Sequence, residues 1–293
     1  MIVVVGATGA TGSHLVNTLA QKGLRPRAVV RNLALAKERF QDRAELVSAD
    51  LRDPSSFGAV LRGASAVYVA IGGATGTPEL VEVESRFIDA ARSAGVPHYV
   101  RVSGIDARPD GDAEIQRIHG RIEQHLIRSG LPYTILRPCF FMQNFLALAG
   151  AIQAGTLPFP THDGRAGLID ARDIAEVAAE VLSSQGHTGA VYTLTGPELL
   201  SHADAAVHFS RILERPISFI DVPREAFAAG IAGVGAPAWF AELLTDVYVN
   251  VFGAKKIERL SPDVERVLRR RPRSLAEFIR EHRLAFAPTG QPS

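Results

Sequence analysis

The sequence predicts an α/β fold: a doubly wound parallel sheet joined to a smaller, mostly helical C-terminal part. Three observations carry this. Short β-branched segments alternate with amphipathic helical stretches through the first half of the chain, turn residues follow most of those segments, and a ladder of glycines follows the first one. Alternation of this kind builds βαβ units and a parallel sheet with helices on both faces.

The first strand is Ile2–Val5, an aliphatic run that leads into Gly6-Ala7-Thr8-Gly9-Ala10-Thr11-Gly12. Leu15, Val16 and Leu19 then recur at helical spacing. Further strands are predicted near Arg27–Val30, Glu45–Val47, Ala66–Val69, Tyr99–Val102 and Tyr133–Leu136. Leu80, Val83, Phe87, Ile88 and Ala91 form one helical stripe, and Ile115, Ile118, Ile122 and Leu126 another. The rhythm breaks after Pro138, where the run from Phe140 to Phe145 reads as an aromatic helix ahead of Gly155–Pro160. Leu168-Ile169-Asp170 resumes the pattern, with Ile174, Val177, Ala178, Val181 and Leu182 on a helix and a strand at Val191–Leu194. From about Ser201 the chain reads as mostly helical, with a tail from Pro288 to Ser293 of disordered character. The expected division is a Rossmann-type nucleotide-binding unit, residues 1–139 and 165–200, and a substrate-binding lid, residues 140–164 and 201–293.

The glycine ladder has the spacing of a dinucleotide cradle. Gly6 permits a sharp turn off the strand, Gly9 leaves room for a phosphate, and Gly12 allows close helix packing. Thr8, Ala10 and Thr11 complete the loop, whose backbone N–H groups and helix dipole attract an anion. A site for NAD usually carries a carboxylate about twenty residues beyond the glycines, on the ribose 2′-hydroxyl. Here Arg31 stands there, and no carboxylate occurs between Ile2 and Lys37. A guanidinium grips a 2′-phosphate through paired charge-assisted bonds, so the expected cofactor is NADP(H), with Lys37 as a second phosphate contact. Ligands of such sheets lie beyond the carboxyl ends of the strands. That rule adds Asp50-Leu51, Ala70-Ile71-Gly72-Gly73, Ser103-Gly104-Ile105 and the segment from Pro138 to Asn144.

Composition is that of an ordinary globular protein, with 46% apolar and 22% charged residues. A net charge of +1 gives no electrostatic reason to expect direct contact with nucleic acid or a membrane surface. Arg269-Arg270-Arg271-Pro272-Arg273 is the one basic block and reads as a solvated helix end. The single cysteine, Cys139, excludes an internal disulfide and fits a reducing compartment. With no secretory signal pattern and no apolar run of about eighteen residues, the expected location is the cytoplasm. The histidines show no metal-ligand spacing, so no metal is expected.

Together these strand ends resemble the NmrA-like branch of the atypical short-chain dehydrogenase/reductases. The matching segments are Gly6–Gly12, Val30-Arg31-Asn32, Asp50-Leu51, Ala90–Val96, Ser129–Thr134, Leu136-Arg137-Pro138 with Phe141–Asn144, Asp170–Ala175, Leu194–Pro197 and, loosely, Pro272-Arg273-Ser274. The resemblance implies an NADPH-dependent reductase of quinones, azo dyes or other conjugated aromatic acceptors. Asp50-Leu51 would contact adenine, Ala70, Ile71 and Gly72 would line the cofactor, and the turn from Pro138 to Phe141 would approach the nicotinamide.

Ketone-reducing members of the wider superfamily use a tyrosine acid with a lysine four residues later. In this resemblance His119 takes the lysine's place, and four residues earlier stands Ile115. A ketone accepting hydride needs a proton donor or an oxyanion stabiliser. An electron-poor conjugated acceptor needs mainly orientation. The missing tyrosine therefore favours the second kind, or a non-catalytic NADP(H)-sensing regulator, and disfavours an epimerase or dehydratase of nucleotide sugars.

Ser103, His119 and Asn144 are the candidate catalytic residues. Ser103 is a substrate donor or a turn cap, and Asn144 a substrate contact or a backbone brace. His119 is a proton donor, a ribose contact or a histidine satisfied at a helix–sheet seam. Gly120 reads as a close approach of helix to sheet, and Cys139 as a small buried hydrophobe. Phe140, Phe141, Phe145, Phe159, Trp239 and Phe240 are candidate walls of a slot for a small aromatic substrate; most read as core, and only Phe141 is assigned to a substrate contact. A monomer and a homodimer both remain open. Titration should show NADPH binding more tightly than NADH, and equal dissociation constants would remove the role given to Arg31.

Overall fold

The computed structural model describes residues 1–71 and 79–288. Its first half runs β1 (Ile2–Val5), α1 (Ala10–Gln21), β2 (Arg27–Val30), α2 (Leu33–Phe40), β3 (Glu45–Ser48), α3 (Phe57–Leu61), β4 (Ala66–Val69), α4 (Glu79–Ser93), β5 (Tyr99–Val102), α5 (Glu114–Ser129) and β6 (Tyr133–Pro138). The second half continues through α6 (Asn144–Ala147), α7 (Ala149–Gln153), β7 (Thr156–Phe159), α8 (Ala171–Ser183), β8 (Val191–Leu194) and α9 (His202–Leu213). It ends with β9 (Ser218–Asp221), α10 (Arg224–Gly233), α11 (Ala238–Val247), α12 (Asp263–Leu268) and α13 (Leu275–Glu281).

A seven-stranded sheet has the order β3-β2-β1-β4-β5-β6-β8, with every pairing parallel. Side chains alternate between its faces. Val4, Ala28, Tyr68, Val100 and Leu136 meet Leu15, Val16 and Leu19 of α1 and Ile174, Val177 and Val181 of α8. Val3, Val5, Val67, Val69 and Ile135 meet Phe57 of α3, Phe87 and Ile88 of α4, and Ile118, Ile122 and Leu126 of α5. This is the doubly wound arrangement. A third core gathers Phe145, Phe159, Phe209, Phe252, Phe278 and Phe286 from the later part of the chain. Val264 of α12, by contrast, lies in the α1–α8 core.

Two segments depart from expectation. The run from Phe140 to Gln143 is not helical: Ile169 N–H donates to Phe140 O at 2.9 Å and Met142 N–H to Ile169 O at 2.8 Å, so the backbone finds its partners in a short parallel bridge. Helix begins only at Asn144. The later part of the chain also contains strand, because β7 and β9 pair in a separate two-stranded parallel sheet. Among the described residues no helix is long and apolar enough to cross a membrane.

The basic block is a solvated helix end only in part: Arg269, which caps α12, and Arg271 are exposed. Arg270 and Arg273 fold onto α8, where fully buried Asp173 accepts from Arg270 Nη2 at 2.7 Å and from the Arg273 backbone N–H at 2.7 Å. Arg273 also donates to Glu176 at 2.7 Å, and Arg273–Asp173 and Arg270–Glu176 pairs close the cluster. A buried carboxylate requires such partners. Asp173→Ala should lower unfolding free energy by about 2 kcal/mol in chemical denaturation, because it removes charged hydrogen bonds to Arg270 and Arg273 and leaves them only Glu176.

Candidate functional site

The strand order reverses between β1 and β4, which opens a crevice at their carboxyl ends. Gly6 sits at its lip with φ +77°, and a Cβ there would stand 2.1 Å from Ala70 O. A Cβ on Gly12 would stand 2.2 Å from Gly6 O, so Gly12 serves close approach to the loop's own backbone. At Gly9 the nearest atom, Gly6 O, is 3.2 Å away, and the space beyond is open to a ligand. Gly9 is the extended N-cap of α1, with no side-chain cap and no acidic residue in the first turn. The first N–H groups of α1 are thus left to an anion, and the cradle fits a pyrophosphate.

Thr8 and Ala10 are exposed at the rim of this loop. Thr11 is buried, its hydroxyl accepting from Tyr68 Oη at 2.7 Å and keeping its own O–H to donate. Arg39, which the sequence reading did not single out, donates to Thr8 O at 3.0 Å and places a cation beside the cradle.

At the far end of β2, Arg31 and Lys37 are exposed, and neither makes a side-chain hydrogen bond among the described residues. Asn32 caps α2 by accepting from Ala34 and Leu35 N–H groups. The Asp50 carboxylate is clamped by Arg52 (Nη2–Oδ2 2.6 Å), whose hydrogen bonds pull its pKa down to about 2. Leu51 is buried in the core beneath it. Ala70 and Ile71 are half-buried at the end of β4, whereas Gly72 lies outside the described residues.

Around the ends of β5 and β6 the structure gathers Ser103, His119, the buried Glu84–Arg101 pair and the partly buried Glu123–Arg137 pair. Ser103 Oγ donates to Glu123 Oε1, and Glu123 also accepts from Arg137 Nε at 3.0 Å. Ser103 therefore turns its proton inward and keeps only lone pairs for a ligand. Arg101 and Glu84 are 1% and 2% exposed. Arg101 Nε and Nη2 donate to the two Glu84 oxygens at 2.8 and 3.2 Å, and Nη2 donates to His119 Nδ1 at 3.0 Å. A guanidinium has no acceptor, so His119 Nδ1 carries a lone pair and the proton sits on Nε2. Burial, reinforced by the Arg101 charge, holds the His119 pKa well below the usual 6.5. His119 is thus a hydrogen-bond donor but not an imidazolium acid. Its Cδ2–Nε2 edge faces Gly104, where a Cβ would lie 3.2 Å from Cδ2 and 3.8 Å from Nε2.

Ile115, where a tyrosine acid would stand, packs against the third core. Asn144 Nδ2 donates to Tyr248 Oη at 3.2 Å, and the Tyr248 ring lies 4.8 Å from that of Phe140. Pro138 is buried at the end of β6, and Phe141 is half-buried beside it. Phe145 and Phe159 are in the third core, while Trp239 and Phe240 pair with each other on α11. Cys139 is buried, and burial pushes its thiol up to about 12, which makes it an inert apolar group. Gly120 does not mark contact with the sheet. A Cβ there would stand 2.2 Å from the Arg108 carbonyl carbon, so it admits the loop ahead of α5.

Glu84, Arg101, Arg137 and Tyr248 were missed as site residues. The signal for the first two was present, since each charge occupies a core-facing position of a strand or helix and a buried charge demands a partner.

The NmrA-like family model matches residues 1–279. The chain is 35% identical over 287 residues to the NAD(P)H azoreductase of Xenophilus azovorans, covering 98% of this chain and 99% of that protein. It is 32% identical over 293 residues to the (4-alkanoyl-5-oxo-2,5-dihydrofuran-3-yl)methyl phosphate reductase of Streptomyces griseus, covering 98% and 100%. The crystal structure of the NADPH-dependent quinone oxidoreductase QOR2 of Escherichia coli, complexed with NADPH, superposes with a TM-score of 0.86 at 26% identity, covering 97% of this chain and 100% of that one.

The glycines separate folding from binding. Gly9→Ala should keep the far-ultraviolet spectrum and cooperative unfolding while weakening NADPH binding at least about tenfold, a loss near 1.4 kcal/mol. Gly12→Ala should destabilise the fold itself, because its Cβ has nowhere to go.

Proposed function

The chain belongs to the NmrA-like family, and we propose that it is an NADPH-dependent reductase that delivers hydride to an electron-poor conjugated acceptor such as a quinone or an azo compound. The observation that carries this reading is a cradle open to pyrophosphate whose neighbouring acid position is filled by apolar Ile115. The named activities of its full-length relatives support it.

Gly6, Gly9, Ala10, Thr11 and Gly12 would hold the pyrophosphate through backbone N–H groups, and Arg31 with Lys37 the 2′-phosphate. Ala70 and Ile71 would flank the cofactor, and Pro138 and Phe141 would border the nicotinamide. When bound, NADPH supplies the hydride. The protein's share is orientation: it sets the acceptor against that ring and lends polar groups at its edge. His119 offers a neutral N–H to an oxygen that becomes anionic. Ser103 offers an accepting oxygen, and Asn144, braced by Tyr248, a third polar edge.

Hydride addition to a quinone leaves a delocalised hydroquinone anion that takes its proton from water, so no side-chain acid is required. An isolated ketone leaves an alkoxide that does require one. Residues 140–164 and the third-core elements from α9 to α11 would cover the acceptor as the lid, whereas α12 packs on the α1–α8 side of the sheet. The buried thiol of Cys139 suits a cytoplasmic setting.

The test is NADPH oxidation against a panel of quinones, azo dyes, enones and simple ketones. Turnover is expected with the conjugated acceptors and not with the ketones, and none above background with any acceptor would overturn the proposal. Arg31→Ala should raise the dissociation constant for NADPH about 10–100-fold and leave that for NADH nearly unchanged, as expected for a lost charged hydrogen bond.

A further inference from the structure

We infer that Glu84 and Arg101 are positioning residues whose buried fork locks His119 in its Nε2–H tautomer, so that the site presents an oxygen of the acceptor with a hydrogen-bond donor of fixed direction. The inference deepens the reductase reading, and its catalytic part rests on it. The lock itself does not.

The geometry uses Arg101 fully on one side and poorly on the other. Nη2 has two hydrogens, one directed to Glu84 and one to His119 Nδ1. A lysine could not replicate the fork, since it lacks the planar pair of donors. Arg101 Nη1, on the opposite edge, is buried and has no acceptor among the described residues. A buried ion pair with an unmatched N–H is a poor stabilising device, and an apolar pair of similar volume is often as good or better. The contact that apolar replacement would remove is the one to His119. Glu84, buried within α4, holds the guanidinium in place and balances its charge.

The other groups facing this corner do not undo the lock. From α5 comes Glu123, but its carboxylate is engaged by Arg137 of β6 and by Ser103. From β5 comes Arg101 and from α4 Glu84, which neutralise each other. Protonating His119 would set an Nδ1–H against a guanidinium N–H, two donors without an acceptor. The opposite edge, Nε2–H, makes no hydrogen bond among the described residues and lies beside Gly104, two residues beyond the carboxyl end of β5. A neutral imidazole so held stabilises a developing anion without surrendering a proton.

The experiment is imidazole nitrogen–proton correlation NMR on the full chain, paired with kinetics. In the wild type, His119 should show the Nε2–H pattern unchanged between about pH 5 and 8, a range where a free histidine titrates. In Arg101→Met, and in the doubly apolar Glu84→Met/Arg101→Met that avoids an unpaired buried carboxylate, His119 should exchange between its Nδ1–H and Nε2–H tautomers, while burial continues to hold its pKa below the usual value. With a quinone, kcat should fall about tenfold and leave the NADPH dissociation constant within about twofold; Arg101→Lys, which lacks the planar pair of donors, should restore neither the rate nor the single-tautomer spectrum. A wild-type His119 that titrates or carries its proton on Nδ1, or a double variant whose spectrum is unaltered, overturns the lock. A locked spectrum with unaltered kcat, or with the loss falling on NADPH affinity, overturns the catalytic part. Because the spectrum needs no acceptor, absence of turnover would count against the reductase reading alone.

Discussion

The constraint on which this structure depends is steric: three backbone segments meet at the end of β1 with no room for a side chain. Gly6 lies under the Ala70 carbonyl, and Gly12 lies under that of Gly6. Remove that contact and α1 could not begin where the strand order reverses, so its N–H groups would not face the crevice. The buried bond between Tyr68 and Thr11 pins the first turn of α1 to β4 from below. Sheet, helix and cradle are therefore one packing solution, and the anion site follows from it.

A second set of contacts ties the later part of the chain to that scaffold. Asp170 caps α8 and receives Arg172, which also reaches Glu281. Asp173 and Glu176 hold Arg270 and Arg273. On the other side, Asp246 accepts from the Glu114 N–H at 3.0 Å, capping α5 from α11, and Lys256 and Arg259 pair with Asp112 and Asp106 in the loop after β5. That loop joins Ser103 to the helix carrying His119. The same residues that fasten the C-terminal part thus also fix the corner where the polar groups converge.

These two sets differ in how they appear in the sequence. Strands of a parallel sheet covered on both faces are continuous apolar runs, so β1, β2, β4 and β5 are legible directly, and the glycine spacing reports a local turn. Pairings between distant charges leave no periodic trace. Glu84 occupies a buried position in α4 where the stripe was drawn through Val83, because periodicity weighs hydrophobicity and is blind to Arg101 across the core. The basic block misled in part for the same reason, since the carboxylates that hold Arg270 and Arg273 lie about a hundred positions earlier. The run from Phe140 to Gln143 was read as helix because its partner, Ile169, belongs to a segment far along the chain. What is local was legible, and what is closed by tertiary partners was not.

The absent tyrosine and the neutral histidine belong to one chemical condition. A tyrosine acid works when a nearby free cation lowers its pKa. Here the cation at the corner, Arg101, is buried and engaged with Glu84 and His119. Each hydroxyl at hand is held in the opposite sense. Ser103 directs its proton to a carboxylate, and burial raises the Tyr248 pKa above the usual phenol range despite the bond from Asn144. Among the described residues around β5 and β6, then, no O–H or N–H is poised to leave as a proton at neutral pH. Such a corner is better suited to stabilising negative charge than to quenching it, and that agrees with the proposed acceptor, which carries the hydride's electrons on its own conjugated frame until water supplies the proton.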